Sequence, residues 1–272
     1  HKEYRRQRQM CIRDSYIGGS IDRRGGSVNP LGYARGLADA AQRAGANVHA
    51  ASPALRIERQ GTRWRVVTPA GTMTAEKLVL ATNAYSDDIW KGLRRSIVPV
   101  FSAIAATEPL PDHLAATIMP ERPVLFEIAS LTVYYRVDAR KRLLMGGRSV
   151  DRDTSDPMDF QRLTRYARRL WPQVKEVGWE YFWNGRLAVT PDHYPHLHEP
   201  APGVIACLAY NGRGVAMATA MGEQVARRVM GASQEEIDFP ITDLRPIPFH
   251  GLRRLGVAAR LTYGEIRDRL GL

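Results

Sequence analysis

The sequence predicts a mixed α/β fold in which a layered domain, built from two discontinuous pieces, is interrupted by a strand-rich insertion. Three observations predict it. A helix-then-strand pattern runs from Asn29 to about Thr82; extended segments without helices between them follow from Ser96; and a strand-then-helix pattern returns at Val204. The boundaries fall at 16–95 and 184–247 for the layered domain, 96–183 for the antiparallel insertion and 248–272 for a helical tail.

The first fifteen residues, HKEYRRQRQMCIRDS, stand apart: they are polar and basic and show no hydrophobic period. They read either as a solvated basic arm or as a non-native leader, since MCIRDS resembles a translated adapter joined to a reading frame. They are set aside from the fold. Pro30 to Ala44 reads as a helix, with Leu31, Ala34, Leu37, Ala38 and Ala41 on one face, Pro30 at its first position and Gly45 at its end. A short strand is expected over Asn47–Ala50. Leu55–Arg59 and Arg63–Thr68 alternate like paired strands around Gln60-Gly61, and Thr72–Ala75 follows the turn at Gly71. KLVLAT, residues 77–82, is nearly all apolar, which predicts a strand covered on both faces.

Ser96–Thr107, Val124–Ile128, Leu131–Val137 and Arg142–Gly147 read as antiparallel strands, and Met158–Leu170 as an amphipathic helix. Trp179–Trp183 and Leu187–Val189 are extended. Val204–Tyr210 is an apolar strand feeding a helix from about Gly214 to Val229, and Pro248–Leu270 reads as one or two basic helices.

Composition narrows the function classes. The 272 residues, 44% hydrophobic and 25% charged, match a globular protein rather than a disordered one. No apolar run approaches the roughly 20 residues that span a bilayer, and no signal-peptide pattern is present. Cys11 and Cys207 are the only cysteines, which leaves no disulfide framework and points to a reducing, cytoplasmic setting. Of the net charge of +11, residues 1–15 carry +3 and the remaining +8 is spread across segments such as RRLWPQ, ARRVMG and GLRRLG, with no basic stripe interleaved with exposed aromatics, so it does not form a specific nucleic-acid footprint.

The most informative stretch is Gly203–Arg228. An apolar strand enters the turn Asn211-Gly212-Arg213-Gly214 and continues into a helix of small residues. Gly212 and Gly214 permit close approach of backbone to a ligand, and the N–H groups opening the helix carry its positive end. Such a terminus can hold a phosphate or an electron-rich ring edge, with Arg213 adding charge; an ordinary strand–turn–helix crossover is the alternative.

YNGRGVAMATAMGEQVA closely resembles the C-terminal flavin-binding segment of the D-amino-acid-oxidase-like FAD oxidoreductases, a superfamily with glycine, sarcosine and gamma-glutamylputrescine oxidases. Further matches follow in family order: VNPLGYARGLADAAQRAGANVH, KLVLATNAYS, YYRVDARKRLLMGGRS and WNGRLAVTPDHYP, with a tail, FPITDLRPIPFHGLRR, similar to the putrescine branch. They cover about Tyr16 to the C-terminus. The resemblance implies a Rossmann-like FAD-binding domain and an antiparallel substrate domain. The family opens on a strand, Gly-x-Gly-x-x-Gly and a helix that hold the FAD pyrophosphate; this sequence has only the doublets Gly18-Gly19 and Gly25-Gly26, so the expectation is a chain lacking that first βαβ unit. Noncovalent FAD is implied, because Gly185 to Val189 contain no cysteine where sarcosine-oxidase relatives bond the flavin.

The implied cofactor set is Ala54, Thr82, Asn83, Asn211, Gly212, Arg213, Gly214 and Val215. The implied chemistry is oxidation of a C–N bond, with flavin carrying the hard step and oxygen or another acceptor reoxidising it. A carboxylate on the amine or amino-acid substrate calls for a bidentate arginine. Tyr134, Tyr135, Arg136 and Arg148 are candidates for the substrate wall and Trp183 for a ring beside the flavin; outward-facing hairpin residues and a core tryptophan are the alternatives. Asp192 follows Pro191 as a turn cap would. His193, His196 and His198, flanked by prolines, read as loop histidines rather than a metal site, and Asp151, Asp153 and Asp156 as a solvated turn. Three functions remain: a gamma-glutamylputrescine-oxidase-like enzyme, a deaminating amino-acid or glycine oxidase or dehydrogenase, and a cofactor-free binding module.

Overall fold

The structure, a computed structural model, describes residues 18–128 and 132–270; the predicted arm over residues 1–15 lies outside them. In chain order the elements are α1 (Pro30–Arg43), β1 (Arg56–Gln60), β2 (Arg63–Thr68), β3 (Gly71–Ala75), β4 (Leu78–Leu80) and β5 (Val98–Thr107). A one-turn α2 (Asp112–Ala115), β6 (Leu125–Phe126), β7 (Tyr134–Val137), β8 (Leu143–Arg148), α3 (Gln161–Leu170) and β9 (Trp179–Val189) follow. The chain ends with β10 (His196–Ala201), β11 (Val204–Leu208), α4 (Gly214–Val229) and α5 (Arg253–Leu270). The fold is mixed α/β, as the patterning predicts.

Two compact units emerge. One comprises Phe101–Gly185 with residues up to Val28 and from Ala259; the other joins Asn29–Val100 to Arg186–Ala258. The boundaries read from the sequence stood at 95/96 and 183/184.

In the first unit, a five-stranded sheet in the order β6-β7-β8-β5-β9 packs one face on α3. Alternation decides which side chains face the helix. Ala103 and Ala105 of β5, Tyr135 and Val137 of β7, and Leu143 and Met145 of β8 join Phe160, Leu163, Ala167 and Trp171 in one core. Helix α3 is entered through a short 3-10 turn at Pro157–Phe160, where the Asp156 side chain accepts the N–H of Met158. Asp156 therefore caps a turn.

In the second unit, β1-β2-β3 is an antiparallel meander and β10-β11-β4 a mixed sheet, with β11 parallel to β4 and antiparallel to β10. Strand β11 is buried at every position, which fits its continuous apolar run VIACL. Two cores form: one around Trp64, Leu93, Ile97 and Leu208, another joining Leu197, Ile205, Cys207 and Tyr210 to Met221 and Val225 of α4.

Four expectations need correction. Residues 47–50 form no strand. KLVLAT yields only the three residues of β4, and Val79 is 40% exposed, so the strand is not covered on both faces. The two segments expected at 179–183 and 187–189 are one continuous strand, β9. His196 and His198 lie on β10, not in a loop; pairing with the apolar β11 overrides the flanking prolines. Helix α1 starts at Pro30 as predicted and ends at Arg43, one residue before the predicted Ala44, with Asn29 accepting the N–H of Gly32 at its start, yet none of its residues is buried.

Candidate active site

In the second unit, β11 runs into a turn whose backbone departs from ordinary angles at three of four successive positions. Ala209, Asn211 and Gly212 have φ of 67°, 50° and 84°. Two asparagines hold this shape. The N–H of Ala209 donates to Oδ1 of Asn83 at 3.0 Å. Asn211 accepts the N–H of Thr190 at 2.9 Å on Oδ1, and its Nδ2 donates to the carbonyls of Tyr194 at 3.1 Å and Ala209 at 2.6 Å. Asn83 itself has φ 45°, a conformation that asparagine tolerates better than branched residues. The turn is thus clamped by Asn83 from the loop after β4 and by its own Asn211, which reaches the loop at 190–194.

Beyond the turn, α4 starts at Gly214 with Arg213 at its N-cap, no side-chain cap and no acidic residue in the first turn. The opening N–H groups therefore present positive potential that neither the N-cap nor a first-turn side chain answers. A β-carbon added at Gly212 would meet nothing within 4 Å, so the turn stands open to a ligand. Among the described residues the side chain of the exposed Arg213 makes no hydrogen bond or ion pair, and Val215 is 50% exposed. Of the other cofactor candidates, Thr82 bonds through its hydroxyl to Ser86 at 2.7 Å, and Ala54 is exposed in the segment before β1. Asn83 and Asn211 spend their amides on protein backbone, which makes them supports of the turn.

The loop that Asn211 grips carries Asp192, whose carboxylate meets His196 Nε2 at 2.9 Å. Burial, the largest single influence, would raise Asp192; the bonds from His196, Thr190 and the Tyr194 N–H outweigh it and hold it at about 2. His196 stacks edge-on against His198 at 5.3 Å. His198 donates from Nδ1 to the Thr242 carbonyl at 2.8 Å, and burial lowers its pKa. Cys207 is buried, with its thiol 3.0 Å from the Tyr210 hydroxyl, and burial pushes it up. Among the described residues no three His, Cys, Asp or Glu side chains gather as metal ligands.

In the first unit, the face of the five-stranded sheet turned away from α3 carries the other candidates. Register places Ser102 opposite Arg148, Tyr134 and Ile104 opposite Gly146, and Arg136 and Ala106 opposite Leu144. Tyr134 bonds to the Ser102 hydroxyl at 2.5 Å, and burial raises its pKa above the ordinary phenol value. Arg136 donates to the Val28 carbonyl at 2.9 Å. Arg148 is half-buried, and burial lowers its pKa against the favourable charge of Asp151; among the described residues its side chain makes no hydrogen bond or ion pair. Trp183 is 44% exposed and stands beside Tyr181.

Tyr135 does not belong to this face. It is 4% exposed in the core and stacks edge-on against Trp171 at 5.3 Å. The two-residue period of β7 sends it opposite to Tyr134 and Arg136. Tyr181, which the sequence reading passed over, shares the open face with Trp183; their spacing of two on an extended segment was the available signal.

A sequence model of the family described as "FAD dependent oxidoreductase" (DAO) matches residues 2–228, beginning within the segment set apart as an arm. The chain is 31% identical over 270 residues to the gamma-glutamylputrescine oxidoreductase of Escherichia coli, covering 97% of this chain and 62% of that protein. It is 32% identical over 223 residues to the probable oxidoreductase OrdL of Haemophilus influenzae, covering 80% of this chain and 51% of that protein. The chain thus spans about half to three-fifths of the length of these curated relatives. Glycine oxidase from Geobacillus kaustophilus superposes with a TM-score of 0.64 at 22% identity, over 77% of this chain and 56% of that one. L-proline dehydrogenase from P. horikoshii also gives 0.64, at 20% identity over 78% and 57%. These two likenesses show a shared fold.

Proposed function

The chain belongs to the DAO family of FAD-dependent oxidoreductases, and from that premise we propose that it serves the oxidation of a C–N bond in an amine or amino acid, in the manner of gamma-glutamylputrescine oxidoreductase. The observation that carries the reading is the clamped turn at Ala209–Arg213 opening onto the uncapped start of α4. Its donor set, backbone N–H groups plus Arg213, suits an electron-rich ring edge. Gly212, Arg213, Gly214 and Val215 would hold the reacting ring of FAD noncovalently, while Asn83 and Asn211 fix the backbone that does so. Bound there, the flavin would supply the two-electron oxidation of the substrate C–N bond.

The chain's own groups bind and orient. Among the described residues the Arg148 guanidinium sits in no ion pair, and the Asp151 charge that favours it is opposed by Arg162, so it takes an anionic group of the substrate. Tyr134 keeps its proton at neutral pH and offers a hydroxyl fixed by Ser102. Trp183 and Tyr181 supply an aromatic wall. Identity of 31% across nearly the whole chain supports the putrescine-type reading over a glycine oxidase, whose match is 24% identical over 75% of the chain.

The test is an absorbance spectrum of the purified chain, with and without added FAD. Two visible flavin bands that survive desalting, and that bleach with amine under anaerobic conditions, are expected. A colourless protein would restrict these residues to a binding module without flavin chemistry. Arg213→Ala should weaken flavin retention; unchanged binding would remove that arginine from the site.

A further inference from the structure

At one end of the sheet's open face, Ala106, Leu144, Tyr181, Trp183, Asp138 and Arg142 line a pocket of about 160 Å³. Its charges are spent on each other. Asp138 accepts the backbone N–H groups of Arg140 and Arg142 at 2.8 and 2.9 Å, and its other oxygen accepts Arg142 Nε at 3.0 Å. The guanidinium lies over the Tyr181 ring at 5.3 Å, covering the face that a ligand cation would use. Both charged side chains are about four-fifths covered, at 21% and 17% exposure. What remains for a guest is aliphatic and aromatic surface from Ala106, Leu144, Trp183 and the Tyr181 edge.

Size and position narrow the guest. An apolar cavity of roughly 150 Å³ accommodates a benzene ring. Arg148 lies on the same strand four residues beyond Leu144, which at about 3.3 Å per residue puts its backbone about 13 Å from that of Leu144. Glycine has no carbon that could occupy such a pocket. Resting on the reading of this face as the substrate wall, we propose that the pocket is a specificity subsite for the uncharged, apolar body of an extended amine, a chain of about four to six carbons or a single ring.

The test is ligand-detected NMR titration of the whole 272-residue chain with unbranched primary amines from methylamine to hexylamine. Affinity should rise about three- to fourfold for each methylene that enters the pocket. Leu144→Phe, which fills the pocket, and Trp183→Ala, which removes its wall, should each flatten that rise. Equal affinity along the series, no detectable binding at any length, or a rise kept in both variants would overturn the subsite; a variant that fails to give a folded circular dichroism spectrum leaves the other to decide. Anaerobic bleaching with FAD is recorded in parallel. Flavin reduced equally fast by methylamine and hexylamine sinks the subsite and keeps the oxidoreductase. A rise abolished by Leu144→Phe in a chain that holds no flavin keeps the subsite and sinks the flavin reading.

Discussion

The ring of Tyr134 occupies the space that a β-carbon on Gly146 would need, across the β7–β8 pair. Glycine is required there by the tyrosine, since the strand backbone itself is ordinary. Gly146→Ala should drive the ring off the sheet, break the 2.5 Å bond to Ser102 and cost about 1–3 kcal/mol through overpacking. Tyr134→Phe, which keeps the ring, should cost about 1 kcal/mol. Urea denaturation of both variants checks the order; a Gly146→Ala protein as stable as the parent would mean that the ring moves freely.

That pair also shows where the sequence was legible and where it was not. Periodicity located β7 and β8, but it could not say which of Tyr134 and Tyr135 faces the core, because both are large aromatics. The glycine opposite Tyr134 was the missing clue: it leaves room on the open face, while Tyr135 sits across from Met145 in the core. His196 and His198 escaped because imidazoles between prolines carry no strand signal; their extended backbone comes from pairing with β11, a contact distant from local propensity. The strand–turn–helix at Val204–Val229 was readable because an apolar run, glycines and small residues all agree locally. The roles of Asn83 and Asn211 were not, since their partners lie 126 and 21 residues away.

Asn211 holds a left-handed backbone and two loops at once. Asn211→Gly keeps the backbone freedom but loses the bonds to Thr190, Tyr194 and Ala209, and should cost about 2–3 kcal/mol at about 1 kcal/mol per bond. Asn211→Ala loses the same bonds and adds roughly 1–2 kcal/mol of left-handed strain. Denaturant midpoints should therefore fall in the order parent, glycine, alanine. Alanine matching glycine would show that the φ of 50° is not enforced.

His198 is 1% exposed with a pKa lowered by burial from 6.5. The folded state thus resists the proton that the unfolded chain takes up, so stability is full above about pH 6.5 and declines as pH falls through the window below it. His196 beside it disfavours a second charge, while Asp243 favours one. The slope should not exceed about 1.4 kcal/mol per pH unit. Asp192, held at about 2 against an ordinary 3.8, contributes stability present above pH 3.8 and lost toward pH 2, well apart from the histidine window. His198→Asn should flatten the decline between pH 6.5 and 5 and leave the acid limb in place. A wild-type chain with constant stability from pH 7 to 5 would sink this account.

Arg148 separates a binding role from a structural one, because the two predict opposite signs. A half-buried guanidinium whose loss of solvation outweighs the pull of the Asp151 charge costs the folded state. If it served the fold, removing it would destabilise. As a ligand-binding group it should do the reverse: Arg148→Met should raise the unfolding free energy by about 1 kcal/mol. In flavin-loaded protein the same change should raise KM about tenfold or more for an amine bearing a carboxylate, from the loss of charge-assisted bonds worth about 1.5–3 kcal/mol each. The corresponding amine without a carboxylate should be unaffected. Arg148→Lys should recover only part of the loss, since a single ammonium cannot grip both oxygens as the planar fork does. A destabilised Arg148→Met protein whose KM shifts equally for both amines would return the residue to a structural role.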